Sequence, residues 1–156
     1  MQKITPYLWF DKQAEEAARF YVSIFKNSHI KNISQYGEVG ATPSGQVVIV
    51  EFVLDGQEFT AFNGGPYFTF SPAISFVIDC ETQKETDYYW EKLSEGGEEQ
   101  MCGWLKDKFG VSWQVVPRVL IEMMNDSDKM KAKRVINSML QMKKIDIKVL
   151  KNAQVG

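Results

Sequence analysis

The chain has 156 residues, 44% of them apolar and 13% aromatic, with 18 Lys/Arg against 20 Asp/Glu. That length and composition predict one compact domain, or two small modules sharing a core. No run of about 18 apolar residues is present to span a membrane.

The opening MQKITPYLWFD carries one Lys before Asp11, which is not the pattern of a secretory signal. Two cysteines, Cys80 and Cys102, do not make a disulfide framework, so a reducing, cytoplasmic location is expected. Charge is unevenly placed. Residues 1–127 hold 10 Lys/Arg and 18 Asp/Glu, whereas residues 128–156 hold 8 and 2. The basic tail has no interleaved aromatics, so its lysines are expected to form a solvated helix face, and nucleic acid is not the expected partner.

In chain order, Lys3 to Phe10 predict a strand, with Pro6 suiting an edge or a bulge. Asp11 is placed to cap a helix whose apolar face is Ala14, Ala17, Ala18, Tyr21, Ile24 and Phe25. Strands follow over His29 to Tyr36 and Gln46 to Leu54, with a loop from Gly37 to Gly45 between them. Asp55-Gly56 is the strongest hairpin signal in the chain, and Gln57 to Asn63 form the returning strand. Gly64-Gly65-Pro66 breaks it. Those residues could present backbone N–H groups to an anion, although a tight crossover is the plainer use.

The pattern then restarts. Ala73 to Asp79 predict a strand, and Thr82-x-x-Glu85 is a capping box for a helix carrying Thr86, Tyr89, Trp90 and Leu93. Gly96-Gly97 closes that helix. A strand near Glu99 to Trp104, a turn at Asp107-Lys108-Phe109-Gly110 and a strand from Val111 to Val116 complete a second unit that is one strand short or has a shortened one. Pro117 ends the ladder or opens a helix. Beyond it, Val119, Leu120, Met123 and Met124 suggest a short helix. Asp126 or Ser127 is expected to cap a longer one with the stripe Ala132, Val135, Ile136, Met139 and Leu140. Asp146 is expected to cap a last helix through Ile147 and Leu150. These helices need an apolar surface, which the outer face of a sheet or a second subunit could supply.

The two halves share an order of elements. An offset of 68 carries Asp11 onto Asp79, Phe20 onto Tyr88, Tyr21 onto Tyr89 and Phe25 onto Leu93; an offset of 54 carries Asp55-Gly56 onto Phe109-Gly110, Phe59 onto Trp113 and Thr60 onto Gln114. A duplicated module explains this order.

The opening ITPYLWFD..AEEAARFY, the middle FNGGP and the later CGWLKDKFGVSWQVVP resemble the PhnB-like branch of the vicinal oxygen chelate superfamily, which includes glyoxalases, dioxygenases and antibiotic-resistance proteins. The resemblance spans roughly residues 2–150. It implies an α+β fold of two βαβββ modules forming a curved mixed β-sheet, with module 1 at about 2–66, module 2 at about 72–117 and a helical tail at 118–156. It also implies a homodimer. Sequences of this branch often carry the label 3-demethylubiquinone methyltransferase. No glycine-rich G-x-G turn follows a predicted strand here to support that chemistry.

The superfamily's enzymes hold a divalent metal on His and Glu side chains. The matching positions here fall at Thr5 or Tyr7, at Thr60 with Asn63 close by, at Ala73 or Ser75, and at Gln114, four residues after Gly110. None is an imidazole or carboxylate, so neither metal nor cofactor is expected. The resemblance thus implies a metal-free cup for a small-molecule ligand. Gln114 and Asn63 would be its polar anchors, and Tyr7, Trp9 and Trp104 would be candidates for an apolar lining. A core amide is an equal reading of Gln114, and aromatic packing is the commoner role of the rings. Cys102 is a candidate nucleophile with Lys106 and Lys108 near in sequence but no histidine beside it, and a half-buried structural thiol is the plainer reading. His29 is expected to be a surface or structural residue. The alternatives are an enzyme with a divergent metal or thiol site, and a structural interaction module using the basic tail.

Overall fold

The computed structural model describes residues 1–36 and 47–156; the expected loop at Gly37 to Gly45 lies outside them. The chain divides into two compact units, Met1–Phe70 and Ser71–Gly156. The first contains β1 (Tyr7–Phe10), α1 (Ala14–Ile24), β2 (His29–Tyr36), β3 (Val47–Leu54) and β4 (Gln57–Asn63). The second contains β5 (Ser75–Cys80), α2 (Gln83–Ser94), β6 (Glu98–Glu99), β7 (Trp104–Lys106) and β8 (Ser112–Pro117). It continues into α3 (Arg118–Met124), α4 (Lys129–Met139) and α5 (Ile147–Val155). Each unit has one four-stranded mixed sheet, in the orders β1-β4-β3-β2 and β5-β8-β7-β6. Both modules are therefore βαβββ, and the second keeps all its strands. The single strand expected at Glu99 to Trp104 is two short ones, because Met101–Gly103 turn between them.

In the first unit, Leu8, Phe10, Val50, Phe52, Leu54, Phe59 and Ala61 are buried together with Ala14, Ala17, Ala18, Tyr21 and Ile24 of α1. Strand alternation sends these sheet residues to one face, and three alanines let the helix lie close to it. Tyr21, Phe52 and Phe59 stack in series, at 6.5 and 5.5 Å between centroids. The β3–β4 hairpin turns at Asp55 and Gly56, with φ of 47° and 81°, as a two-residue loop with both residues left-handed requires. Two expectations at the start are corrected. Residues 3–6 precede the strand, although the Pro6 carbonyl accepts from the Thr60 N–H at 2.9 Å. Asp11 does not cap α1. The Ala14 N–H instead donates to Asn63 Oδ1 at 2.8 Å, so the cap comes from the end of β4.

In the second unit, Phe76, Ile78, Cys80, Leu105, Trp113 and Val115 face α2, which contributes Thr86, Trp90 and Leu93. The capping box forms: Thr82 Oγ1 accepts from the Glu85 N–H at 3.1 Å, and Glu85 reaches back to the Glu81 N–H at 2.7 Å. Asp107, 2% exposed, organises the β7–β8 turn. Its Oδ1 accepts from the N–H groups of Phe109 (2.8 Å) and Val111 (3.1 Å), and its Oδ2 accepts from Trp113 Nε1 (2.8 Å).

The tail docks on its own unit. Leu120, Met123, Val135, Ile145 and Leu150 form a core, against which Val116 of β8 packs. The segment between α4 and α5 runs along the β6–β7 turn. There Cys102 N–H donates to the Met142 carbonyl at 2.7 Å and Gly103 N–H to the Lys143 carbonyl at 2.8 Å. A Cβ on Gly103 would meet the Val115 carbonyl at 2.8 Å and Ile145 Cγ1 at 3.1 Å, so the close approach requires glycine. The cap of α4 is Asp128, one or two residues later than expected, and Asp126 accepts from its N–H. Asp146 caps α5 as expected. Among the described residues, no helix is long and apolar enough to cross a membrane.

Asp107→Asn preserves shape but turns an amide N–H towards groups that are themselves donors. Its expected cost is about 2 kcal/mol in urea unfolding, since a buried donor loses its partner. Combined with Trp113→Phe, the loss should fall short of the sum of the single losses, because the two residues share one hydrogen bond.

Candidate functional site

Each sheet has one face packed on its helix and one turned away from it. The candidate residues sort between these faces by parity. In the first unit, the register aligns Tyr7 with Thr60, Thr60 with Glu51 and Glu51 with Asn32, so four strands contribute one row on the face opposite α1. The next row aligns Trp9, Phe62, Ile49 and Ser34. The rings touch: Tyr7 and Phe62 lie 5.0 Å apart, Trp9 and Phe62 4.8 Å, and Trp9 and Phe68 4.9 Å. The Tyr7 phenol, protonated at neutral pH and able to both donate and accept, is pushed further above its ordinary value by partial burial, then by Tyr36 and Glu51.

Trp9 is held by the glycine stretch. Its Nε1 donates to the Gly65 carbonyl at 2.9 Å, and a Cβ on Gly64 would come within 2.4 Å of the indole ring. The N–H groups of Gly64 and Gly65 donate to the carbonyls of Phe10 and Asp11. They prolong the β1 pairing rather than cradle an anion, which supports the crossover reading. Asn63 is not on the face with Tyr7 and Trp9. It shares Phe10's side of the sheet and caps α1.

In the second unit, Gln114, Val77 and Trp104 form a row on the face opposite α2, with Ser75 on the same side. Gln114 Nε2 donates to Ser75 Oγ at 2.9 Å. Both residues are half-buried, as is Trp104, and Val77 is exposed. Trp113 points the other way and is buried. Lys106, on the Gln114 side, pairs with Glu98 at 3.2 Å. The structure therefore brings Tyr7 and Trp9 together in one unit and Gln114 and Trp104 together in the other.

Cys102 sits in the β6–β7 turn with φ of 61°, where its backbone anchors the tail. Cys80 is fully buried, and burial pushes its thiol up to about 11, opposed in part by the Thr86 side chain and with smaller upward contributions from Glu85 and Asp79. His29 is exposed at the start of edge strand β2.

Sequence reasoning missed Glu51, Phe62 and Tyr36. Glu51 had a signal: it is the one charge in VVIVEFVL, between the buried Val50 and Phe52, so alternation alone sends it to the opposite face. The superfamily resemblance implies a divalent metal, and the residues here do not fit one. Tyr7, Thr60, Ser75 and Gln114 offer neutral oxygens and an amide. Among the described residues, no three His, Cys, Asp or Glu side chains come together as an ion would require.

The comparisons agree with this fold. A family model described as 3-demethylubiquinone-9 3-methyltransferase matches residues 2–116. The resemblance therefore ends near Val116 rather than near residue 150, and the tail lies beyond it. A Bacillus cereus PhnB protein, named provisionally as a 3-demethylubiquinone-9 3-methyltransferase, is 42% identical with a TM-score of 0.67, over 74% of this chain and 99% of that one. Protein PA1353 from Pseudomonas aeruginosa is 21% identical with a TM-score of 0.64, over 75% and 98%. The fosfomycin resistance protein FosX from Listeria monocytogenes is 16% identical with a TM-score of 0.56, over 80% and 98%, and shows likeness of fold alone. No curated protein matches the chain.

Gly64→Ala is expected to push the Trp9 indole off the backbone, red-shift tryptophan emission and cost about 1–3 kcal/mol in urea unfolding. Thiol labelling should separate the two cysteines. At about pH 8, Cys80 should react only after denaturation, since its thiol is neutral and buried. Its folded value of about 11 lies above the ordinary 9.0, so its contribution to stability is complete below pH 9.0 and lost as pH rises towards 11. Cys80→Ala should flatten that part of the pH–stability curve.

Proposed function

The chain belongs to the family described as 3-demethylubiquinone-9 3-methyltransferase, the PhnB-like branch of the vicinal oxygen chelate superfamily, and from that membership we propose that it is a small-molecule-binding protein that works without a catalytic metal. The observation that carries this reading is the donor set. The resemblance sets the superfamily's ion-holding positions at Thr5 or Tyr7, near Thr60, at Ala73 or Ser75, and at Gln114; of these, Tyr7, Thr60, Ser75 and Gln114 lie on the sheet faces opposite the helices. Neutral donors and acceptors beside aromatic rings suit a small organic molecule better than a divalent metal ion.

Gln114 is the polar anchor in the second unit. Its amide nitrogen is committed to Ser75, and its carbonyl oxygen accepts no hydrogen bond among the described residues. That leaves an acceptor for a ligand's hydroxyl or N–H. Trp104, its cross-strand neighbour, supplies an apolar wall. Methyl transfer has little local support. The strand-to-helix turns, Asp11–Gln13 and Glu81–Thr82, contain no glycine with which to bring backbone N–H groups against a nucleotide-like cofactor. Free cysteines suit the reducing cytoplasm, and a homodimer is part of the reading through the family resemblance.

Elemental analysis of the purified protein tests the reading together with a melting-temperature screen. Zn, Fe, Mn and Ni are expected well below one per chain. Small aromatic or hydroxylated metabolites are expected to raise the melting temperature, by roughly 2.7 kcal/mol of stabilisation at 100 times Kd, and Gln114→Ala should abolish the shift. A stoichiometric metal lost in Gln114→Ala would overturn the assignment.

A further inference from the structure

The face opposite α1 carries a charge that small-molecule binding alone does not use. Glu51 stands at the middle of the Tyr7–Thr60–Glu51–Asn32 row and is exposed. Among the described residues it makes no ion pair. Its one hydrogen bond is from Asn32 Nδ2, at 3.3 Å, and Asn32 also donates to Ser34 Oγ at 3.0 Å. Lys31, whose ammonium senses Glu51, forms its ion pair with Glu58 at 2.6 Å instead. The same face carries aromatic rings: Tyr7, in the row of Glu51, is 56% exposed, Trp9 and Phe62 stand in the next row, and Tyr36, 49% exposed, stands one row further, opposite Val47. An aromatic face attracts cations through its quadrupole, and a carboxylate beside it adds the opposite charge.

We propose that the face opposite α1 binds an organic cation, a protonated or quaternary amine on a small apolar or aromatic body, with Glu51 as counter-ion and Tyr7, Tyr36, Trp9 and Phe62 as the aromatic wall. This rests on the small-molecule reading above and deepens it for the first unit. The charge complementarity is specific. A metal ion would need further anionic or imidazole ligands, and Thr60 and Asn32, the row neighbours of Glu51, supply neither. An anion would meet the Glu51 charge directly. An alkylammonium ion can put its nitrogen by Glu51 and its carbon body over the rings. The Tyr7 phenol, neutral at physiological pH, adds a polar contact without adding charge.

The test compares benzylammonium with benzyl alcohol, which have similar shapes and differ in charge, by calorimetry on the full chain. The Trp9 indole N–H is followed by NMR, assigned with Trp9→Phe. Benzylammonium should bind about tenfold tighter than benzyl alcohol at low salt, shift the Trp9 signal, and weaken as sodium chloride is added. Glu51→Gln, an exposed isosteric change expected to leave the fold intact, should bring the two probes to equal affinity. Equal affinities in the unaltered protein, or a preference that survives Glu51→Gln, would overturn the cation assignment and leave small-molecule binding standing. If neither probe moves the Trp9 signal, the cation site is wrong; if the metabolite screen also finds no stabiliser, the broader reading fails with it.

Discussion

Each unit is closed by a parallel pairing between its first and last strands, β1 with β4 and β5 with β8. Much else follows from that pairing. A parallel pair cannot be joined by a short hairpin, so the helix and two further strands must lie between its members. Because partners in register share a face, it also decides which side chains can meet. Tyr7 meets Thr60 and Trp9 meets Phe62, while Leu8 and Phe10 go under α1 beside Ala61 and Asn63. In the second unit the offset of 68 carries Tyr7 onto Ser75 and Trp9 onto Val77, on the corresponding face. The register differs, however: Thr60, the partner of Tyr7, corresponds at an offset of 54 to Gln114, which partners Val77. A slide of two residues preserves the faces and changes the neighbours. Gln114 reaches Ser75 through its side chain instead.

Local signals in the sequence mapped well onto local structure. Asp55-Gly56 made the turn its residue types require, Thr82 and Glu85 formed their box, and Asp146 capped α5. What was not legible depended on contacts distant in sequence. Asn63 caps a helix 49 positions earlier, which no local pattern at Asp11 could reveal. The shortness of β6 and β7 follows from the left-handed Cys102 and Gly103, which turn the chain to receive the tail. Gln114 and Trp104 were separate candidates in the sequence, and the β7–β8 hairpin register makes them cross-strand neighbours. Glu51 was overlooked because an apolar strand draws attention to its core side.

The tail is a separate structural layer added to the family's fold. Residues 118–156 lie beyond the matched model and build a small core, yet they are not loosely appended. Ile145 is fully buried, Gln83 of α2 donates to its carbonyl at 3.0 Å and accepts from the Ile147 N–H at 2.8 Å, and Gly103 lacks the Cβ that would obstruct it. Its basic residues are partly used within the unit. Arg134 donates to the carbonyls of Ala153 and Gln154 at the end of α5, and Lys144 pairs with Asp87. Cations near a helix C-terminus are favourable there, so part of the charge asymmetry has a structural use that needs no nucleic acid.

One family position can therefore carry different chemistry in two copies of one module. A metal site needs several anionic or imidazole donors converging at one distance, and the loss of each such residue weakens the case for keeping the others. Tyr7, Thr60, Ser75 and Gln114, which the resemblance sets at or near those positions, hydrogen-bond but do not ligate well. On the proposed metal-free reading, the constraint on each face is shape and charge rather than coordination geometry. The first unit presents the Glu51 carboxylate on a face that also carries aromatic rings, and the second an amide beside a tryptophan. Such a change alters what can bind while leaving every hydrogen-bonded strand pair in place, because the substituted side chains all point away from the helices on which the two cores are built.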